Sequence, residues 1–111
     1  MALKEMTPHR FDTQDSTLKP CFKYTDTDGD WIKIPAGVDT ITAILDATSG
    51  ASKIVVTNDI DGLRSSGDTT SIIEWDEGVL TSSIFGVEIS NVAAVKQVIS
   101  SGTATLHLVA K

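Results

Sequence analysis

Asn91-Val92-Ala93-Ala94-Val95-Lys96-Gln97-Val98-Ile99-Ser100-Ser101-Gly102-Thr103-Ala104-Thr105-Leu106-His107-Leu108-Val109-Ala110-Lys111 is the stretch on which the fold reading turns. Val92, Ala94, Lys96 and Val98 alternate with Ala93, Val95, Gln97 and Ile99. After Ser100-Ser101-Gly102 the alternation resumes, with Ala104, Leu106 and Leu108 on one face and Thr103, Thr105, His107 and Val109 on the other. Period-two patterning rich in β-branched residues and broken once at a small-residue turn predicts two paired strands, a β-hairpin.

Working outward, the chain back to Trp31 has the same texture. Trp31-Ile32-Lys33-Ile34 reads as a strand stopped by Pro35-Ala36-Gly37. Val38 to Ala47 is a longer one, and Ser49-Gly50 turns the chain. Lys53 to Thr57 is mostly apolar, as a central strand should be. Asn58 to Asp68 is the longest loop, with Leu63 as its inward anchor. Thr69 to Trp75 and Ser82 to Ile89 are further strands, separated by the Asp76-Glu77-Gly78 turn; Phe85, Val87 and Ile89 are expected to share a face. Short strands at such spacing, with no helical period over ten residues, predict an all-β domain. The expected architecture is a single β-sandwich or jelly roll of about seven to eight antiparallel strands.

The length of 111 residues allows one domain, which buries roughly 60–70% of the surface its unfolded chain exposes. Apolar residues make up 41% and charged residues 22%, and mean hydropathy is close to zero. Ser and Thr total 25, a composition that suits turns and exposed strand faces. The net charge of −6 is unevenly placed. Residues 1–23 carry four basic and three acidic side chains, and residues 24–111 carry five and twelve. An acidic body argues against sequence-independent nucleic-acid binding and against docking on an anionic membrane. Cys21, the single cysteine, cannot form an intrachain disulfide and reads as a packing residue. The first residues carry no apolar run, and no 18-residue apolar stretch follows, so synthesis in the cytoplasm is expected.

Residues 1–23 read as an extended N-terminal arm preceding a β-sandwich domain at 24–111. Large apolar residues are sparse there (Leu3, Met6, Phe11, Leu18, Phe22), and Pro8 and Pro20 interrupt any helix. A disordered tail is the alternative, but a purely solvated tail has no use for two phenylalanines. Asp26, Asp28 and Asp30 fall at alternate positions, as at the start of a calcium loop. Counted from Asp26, however, the sixth residue is Trp31 and the twelfth Gly37, where an EF-hand needs Gly and Glu. Asp28-Gly29 is better read as a turn.

Catalytic patterns are thin, and no enzyme is expected. His9 and His107 sit in no recognised nucleophile setting, and two His with one Cys make no zinc centre. Gly62-Leu63-Arg64-Ser65-Ser66-Gly67 lacks the lysine and the strand-to-helix context of a phosphate loop. Glu74 and Asp76 flank Trp75 on one strand face, a pairing that could serve glycosidic acid–base work. Trp31 and Trp75 are candidates for stacking on a sugar, with core packing as the competing role. No cofactor and no metal are implied.

Taken together, the short polar arm, Trp31-Ile32-Lys33-Ile34-Pro35-Ala36-Gly37, Ile72-Ile73-Glu74-Trp75-Asp76-Glu77-Gly78-Val79 and Ser101-Gly102-Thr103-Ala104-Thr105-Leu106 resemble small structural proteins of tailed bacteriophages. In length and plan the chain is similar to the capsid decoration, or staple, proteins of Salmonella podoviruses of the epsilon-fifteen type. That resemblance implies a jelly-roll-like body on the outer surface of the virion, tying neighbouring major capsid protein subunits together. A second copy at a capsid two-fold is a further partner it implies. Leu3, Met6, Phe11, Leu18 and Phe22 would then be the arm residues that bury against the capsid or a second copy. Twenty-three extended residues reach at most roughly 75–80 Å. The rival expectation is a carbohydrate-binding or host-adhesion module using Trp31 or Trp75.

Overall fold

The computed structural model describes residues 3–9, 21–35, 38, 40–75, 78–89 and 92–110. Ten strands and one short helix follow in order: β1 (Lys4–Glu5), β2 (Thr7–His9), β3 (Cys21–Asp26), β4 (Ile32–Lys33), β5 (Ile41–Asp46), β6 (Gly50–Thr57), α1 (Ile60–Ser66), β7 (Ile73–Glu74), β8 (Ser83–Ile89), β9 (Ala94–Gly102) and β10 (Thr105–Ala110). Two five-stranded sheets form a sandwich, one in the order β1-β4-β9-β6-β7 and the other β2-β3-β10-β5-β8. The all-β expectation holds, with more strands than expected.

The pairing is nested: β3 with β10, β4 with β9, β5 with β8, β6 with β7. A chain folded into one long hairpin and then rolled over itself gives this order, which is the jelly roll. It corrects the reading of residues 91–111. β9 and β10 alternate as expected, yet they belong to opposite sheets and do not pair. Ser101-Gly102-Thr103 is a crossover from one sheet to the other. Gly102 has φ 62, and a Cβ there would collide with the Ser49 carbonyl oxygen. Only glycine meets both demands.

Inward-facing residues of both sheets build the main core: Ile32, Ile41, Ala43, Leu45, Ile54, Val95, Leu106 and Leu108 among others. Ile84 and Ile89, five residues apart, both pack on it, because the β5–β8 register shifts between Ala43 and Leu45. The bulge changes which face the alternation presents. Asp26, Ser52, Thr57 and Gln97 are the buried polar residues among those described, and Gln97 links two of the others. Gln97 donates from Nε2 to the backbone oxygen of Asp26 (3.0 Å), its Oδ2 (2.9 Å) and the Ala104 carbonyl (3.2 Å), and it accepts from Ser52 Oγ (3.0 Å). Asp26 Oδ2 also accepts from the Gly29 amide, and Oδ1 from that of Asp30, which makes the Asp28-Gly29 turn. Both oxygens of Asp26 are thus committed to N–H donors.

A second, smaller core lies on the outer face of the β4-containing sheet. Trp31, Val55, Leu63 and Ala94 are buried there, with Leu3, Ile60 and Val98 around them. This explains why β6 is apolar on both faces. The cover is α1, in the segment expected to be a plain loop. Asp59 caps it by accepting from the Gly62 amide (3.1 Å), and Gly67 ends it at φ 78. Leu63 points inward, as its position suggested.

Residues 3–9 and 21–23 are part of this body. β1 runs parallel to β4 at the edge of one sheet, and β2 runs antiparallel to β3 at the edge of the other. Met6, between them, is 5% exposed and belongs to the main core. The boundary expected at Tyr24 therefore does not separate body from arm: strands of both sheets precede it. Residues 10–20, with Phe11 and Leu18, lie outside the described residues.

Candidate functional site

A sandwich has two open sides, where the edge strands of its sheets face each other. On one side, β1 and β2 straddle both sheets and Met6 fills the gap. On the other, between β7 and β8, a groove of about 230 Å³ remains. Ile54, Val56 and Ile89 form its floor, Ile73 and Trp75 one wall, and Glu74 and Glu88 its charged rim.

The local sequence explains the geometry. Ile73 pairs with Val56, an inward position, so its side chain faces the space between the sheets. Among the described residues no strand of the opposite sheet covers it there, and Ile73 stays 67% exposed. The Trp75 amide donates to the Ile54 carbonyl (3.0 Å), holding the half-buried indole against the core. Of the exposed large apolar residues among those described, Ile72, Ile73 and Val79 fall in this one segment, and Ile44 lies elsewhere. Glu74 is paired with Lys53 Nζ at 2.6 Å. Glu88 is exposed and has no ion-pair partner among the described residues.

The residues singled out from sequence are distributed as follows. Leu3 packs into the second core, Met6 and Phe22 into or against the first. Met6, at 5% exposure, has no surface left for an outside partner. Trp31 is 1% exposed. Its indole nitrogen donates to Asp68 Oδ1 (3.3 Å), and Lys96 Nζ lies 5.3 Å from the ring centroid. Trp31 therefore has no open face for a sugar, which corrects that expectation. Trp75 alone of the two tryptophans reaches a groove. Asp76, the expected partner of Glu74, lies outside the described residues. Sequence reasoning missed Ile73, Glu88 and the groove itself. The lasting signal was Ile72-Ile73 at the end of a polar stretch, but only topology shows that this side of the sandwich lacks a cover.

The outer face of the β10-containing sheet is the contrasting surface. Lys23, Thr25, Ile44, Asp46, Ser83 and His107 are exposed on it. His107 Nδ1 lies 3.2 Å from Thr25 Oγ1. Asp46 accepts from the Thr48 hydroxyl and amide and from Ser83 Oγ, bonds that hold its carboxyl below the usual range. Asp59 is lowered by the Thr69 hydroxyl and then the Gly62 amide. Asp68 is lowered by the Thr69 amide, then the Trp31 indole and the charge of Lys96. Among the described residues no group of three or more His, Cys, Asp or Glu could hold a metal ion, and no helix is long and apolar enough to cross a membrane.

Comparison with known proteins found no matching family model, no similar curated protein and no similar solved structure.

Proposed function

We propose that the protein is a structural virion protein that binds the outer surface of a phage capsid and ties neighbouring major capsid subunits together. The observation that supports this reading is the apolar open side between β7 and β8, where Ile73, an inward-facing residue, is left 67% exposed beside Trp75. A freestanding domain gains nothing from such a surface, whereas a protein that works by being held on another has a use for it. A staple needs a rigid body more than an active site. The nested jelly roll, closed on one side by its own N-terminal segment, supplies that rigidity.

The test is co-sedimentation of the full chain with mature capsids lacking it, followed by heating of loaded and bare shells. Saturable binding and a higher rupture temperature are expected. A chain starting at Tyr24 is the wrong reagent, because it lacks β1, β2, Met6 and half of β3.

One observation favours a second reading, a carbohydrate-binding or adhesion module: Trp75 lies in the groove beside two carboxylates. Glycan binding abolished by Trp75→Ala, together with no binding to capsids, would replace the first reading with the second.

A further inference from the structure

Among the four edge strands of the two sheets, three are short: β1 and β7 have two residues each and β2 has three. Short edges blunt unwanted strand pairing. β8 is the exception. It runs seven residues, Ser83-Ile84-Phe85-Gly86-Val87-Glu88-Ile89, and contains neither lysine nor proline, the residues that usually guard an edge. It pairs with β5 on one side, and among the described residues no strand pairs with the other. The one long edge strand, interrupted by its bulge and carrying a single charge at Glu88, thus borders the apolar groove found among the described residues on this side of the sandwich.

Resting on the capsid reading above, we infer that this open side receives an extended segment of the major capsid subunit, added as a further strand along β8. One large apolar side chain of that segment seats over Ile73 and Trp75, and a lysine or arginine lies beside Glu88. Three observations support an extended segment as the occupant. The opposite side of the sandwich is closed in this way by the chain itself, with extended backbone on the sheet edges and a single large side chain, Met6, between the sheets. The groove, at about 230 Å³, is smaller than the roughly 300–1,000 Å³ of small-molecule sites and suits one side chain. The charge of the site favours a basic residue: Glu88 has no ion-pair partner among the described residues, and residues 24–111 carry twelve acidic against five basic side chains. Main-chain bonds along the edge give affinity, and the groove and carboxylate give specificity.

The experiment places a photo-reactive benzophenone amino acid at position 73 or, as a control on the outer face of the other sheet, at position 44. Each full-length protein is bound to mature capsids lacking it, irradiated, and its cross-links are mapped by mass spectrometry. Position 73 is expected to capture one segment of the major capsid subunit that contains a lysine or arginine, and position 44 is not. Ile73→Lys and Glu88→Lys should each weaken capsid binding about tenfold or more, as loss of a central anchor or a paired charge does. Ile44→Lys should not. Both groove positions are on the surface, so unchanged thermal unfolding separates lost binding from lost fold. If the wild-type chain binds capsids but position 73 captures nothing, or only another copy, and both groove variants bind normally, the groove inference fails and the capsid reading stands. If the wild-type chain does not bind capsids at all, both fall.

Discussion

Gln97 shows how much one side chain can hold. Its amide nitrogen lies within 3.2 Å of three acceptors and its oxygen accepts from Ser52, so it joins β9 to β6, to the end of β3 and to the crossover before β10. Gln97→Leu fills the same space but strands the Ser52 hydroxyl and two carbonyls. A loss of about 2–4 kcal/mol is expected, read as a lower urea midpoint at constant slope. Three carboxylates, Asp46 and Asp68 exposed and Asp59 half-buried, give a different, pH-dependent signature. Asp46, Asp59 and Asp68 are all held below their ordinary value of 3.8 by the hydroxyl and amide donors around them. The folded state therefore binds these three protons less readily than the unfolded chain does. Their contribution is complete above about pH 4 and is lost as the pH falls through the depressed folded values. Urea titrations at neutral pH and near pH 3 should show this acid loss. The double variant Asp59→Asn, Asp68→Asn should be less stable at neutral pH and show a flatter acid slope.

At the scale of elements, α1 is too short to be stable alone and depends on its caps and on Leu63. Asp59→Ala removes the cap and should cost about 1 kcal/mol. Leu63→Ala opens the second core and should cost about 2–4 kcal/mol, again by denaturant titration. Trp31 fluorescence gives a local readout, since its indole bonds to Asp68 beyond the end of this helix. The helix was legible in retrospect: Asp59 and Gly67 frame it as N-cap and left-handed C-cap. With a single buried residue, though, it has no period to detect. The strands show the same limit from the other side. β6 was located by its apolar run, whereas alternation located β5, β9 and β10 and told their faces apart, because side-chain burial repeats every two residues. It could not assign partners, because a Ser-Ser-Gly turn serves a crossover as well as a hairpin. β1 and β2 are two or three residues long and carry no pattern, whereas β4 and β7, two residues each, lie inside the longer strands expected at Trp31–Ile34 and Thr69–Trp75. The groove was illegible for a related reason: Ile73 is an ordinary inward residue made conspicuous only by what does not lie across from it.

At the scale of the molecule, the N-terminal segment behaves as a clasp. Met6→Ala should cost about 2–4 kcal/mol, and a chain beginning at Tyr24 should lose cooperative unfolding altogether, as calorimetry would show. Nested pairing also sets the order of assembly. β9 lies between β4 and β6, and β10 lies between β3 and β5, so the stretch from Ala94 to Ala110 supplies an inner strand to each sheet. The strands before it can form only the pairs β1–β4, β2–β3, β5–β8 and β6–β7, each half-sheet missing the strand that joins it to the other. On a ribosome, the nascent chain can close these pairs early, but neither sheet can join its halves until this stretch has emerged. Closure of the sheets is then a single late event in place of a gradual one, and the unpaired edges wait in the open until it happens. Such a protein depends on the pace of its own synthesis: a pause before Ala94 prolongs the interval in which the edges of β5 and β6 that await β10 and β9 are open to pairing with a neighbouring chain, and rapid completion of β9 and β10 shortens it.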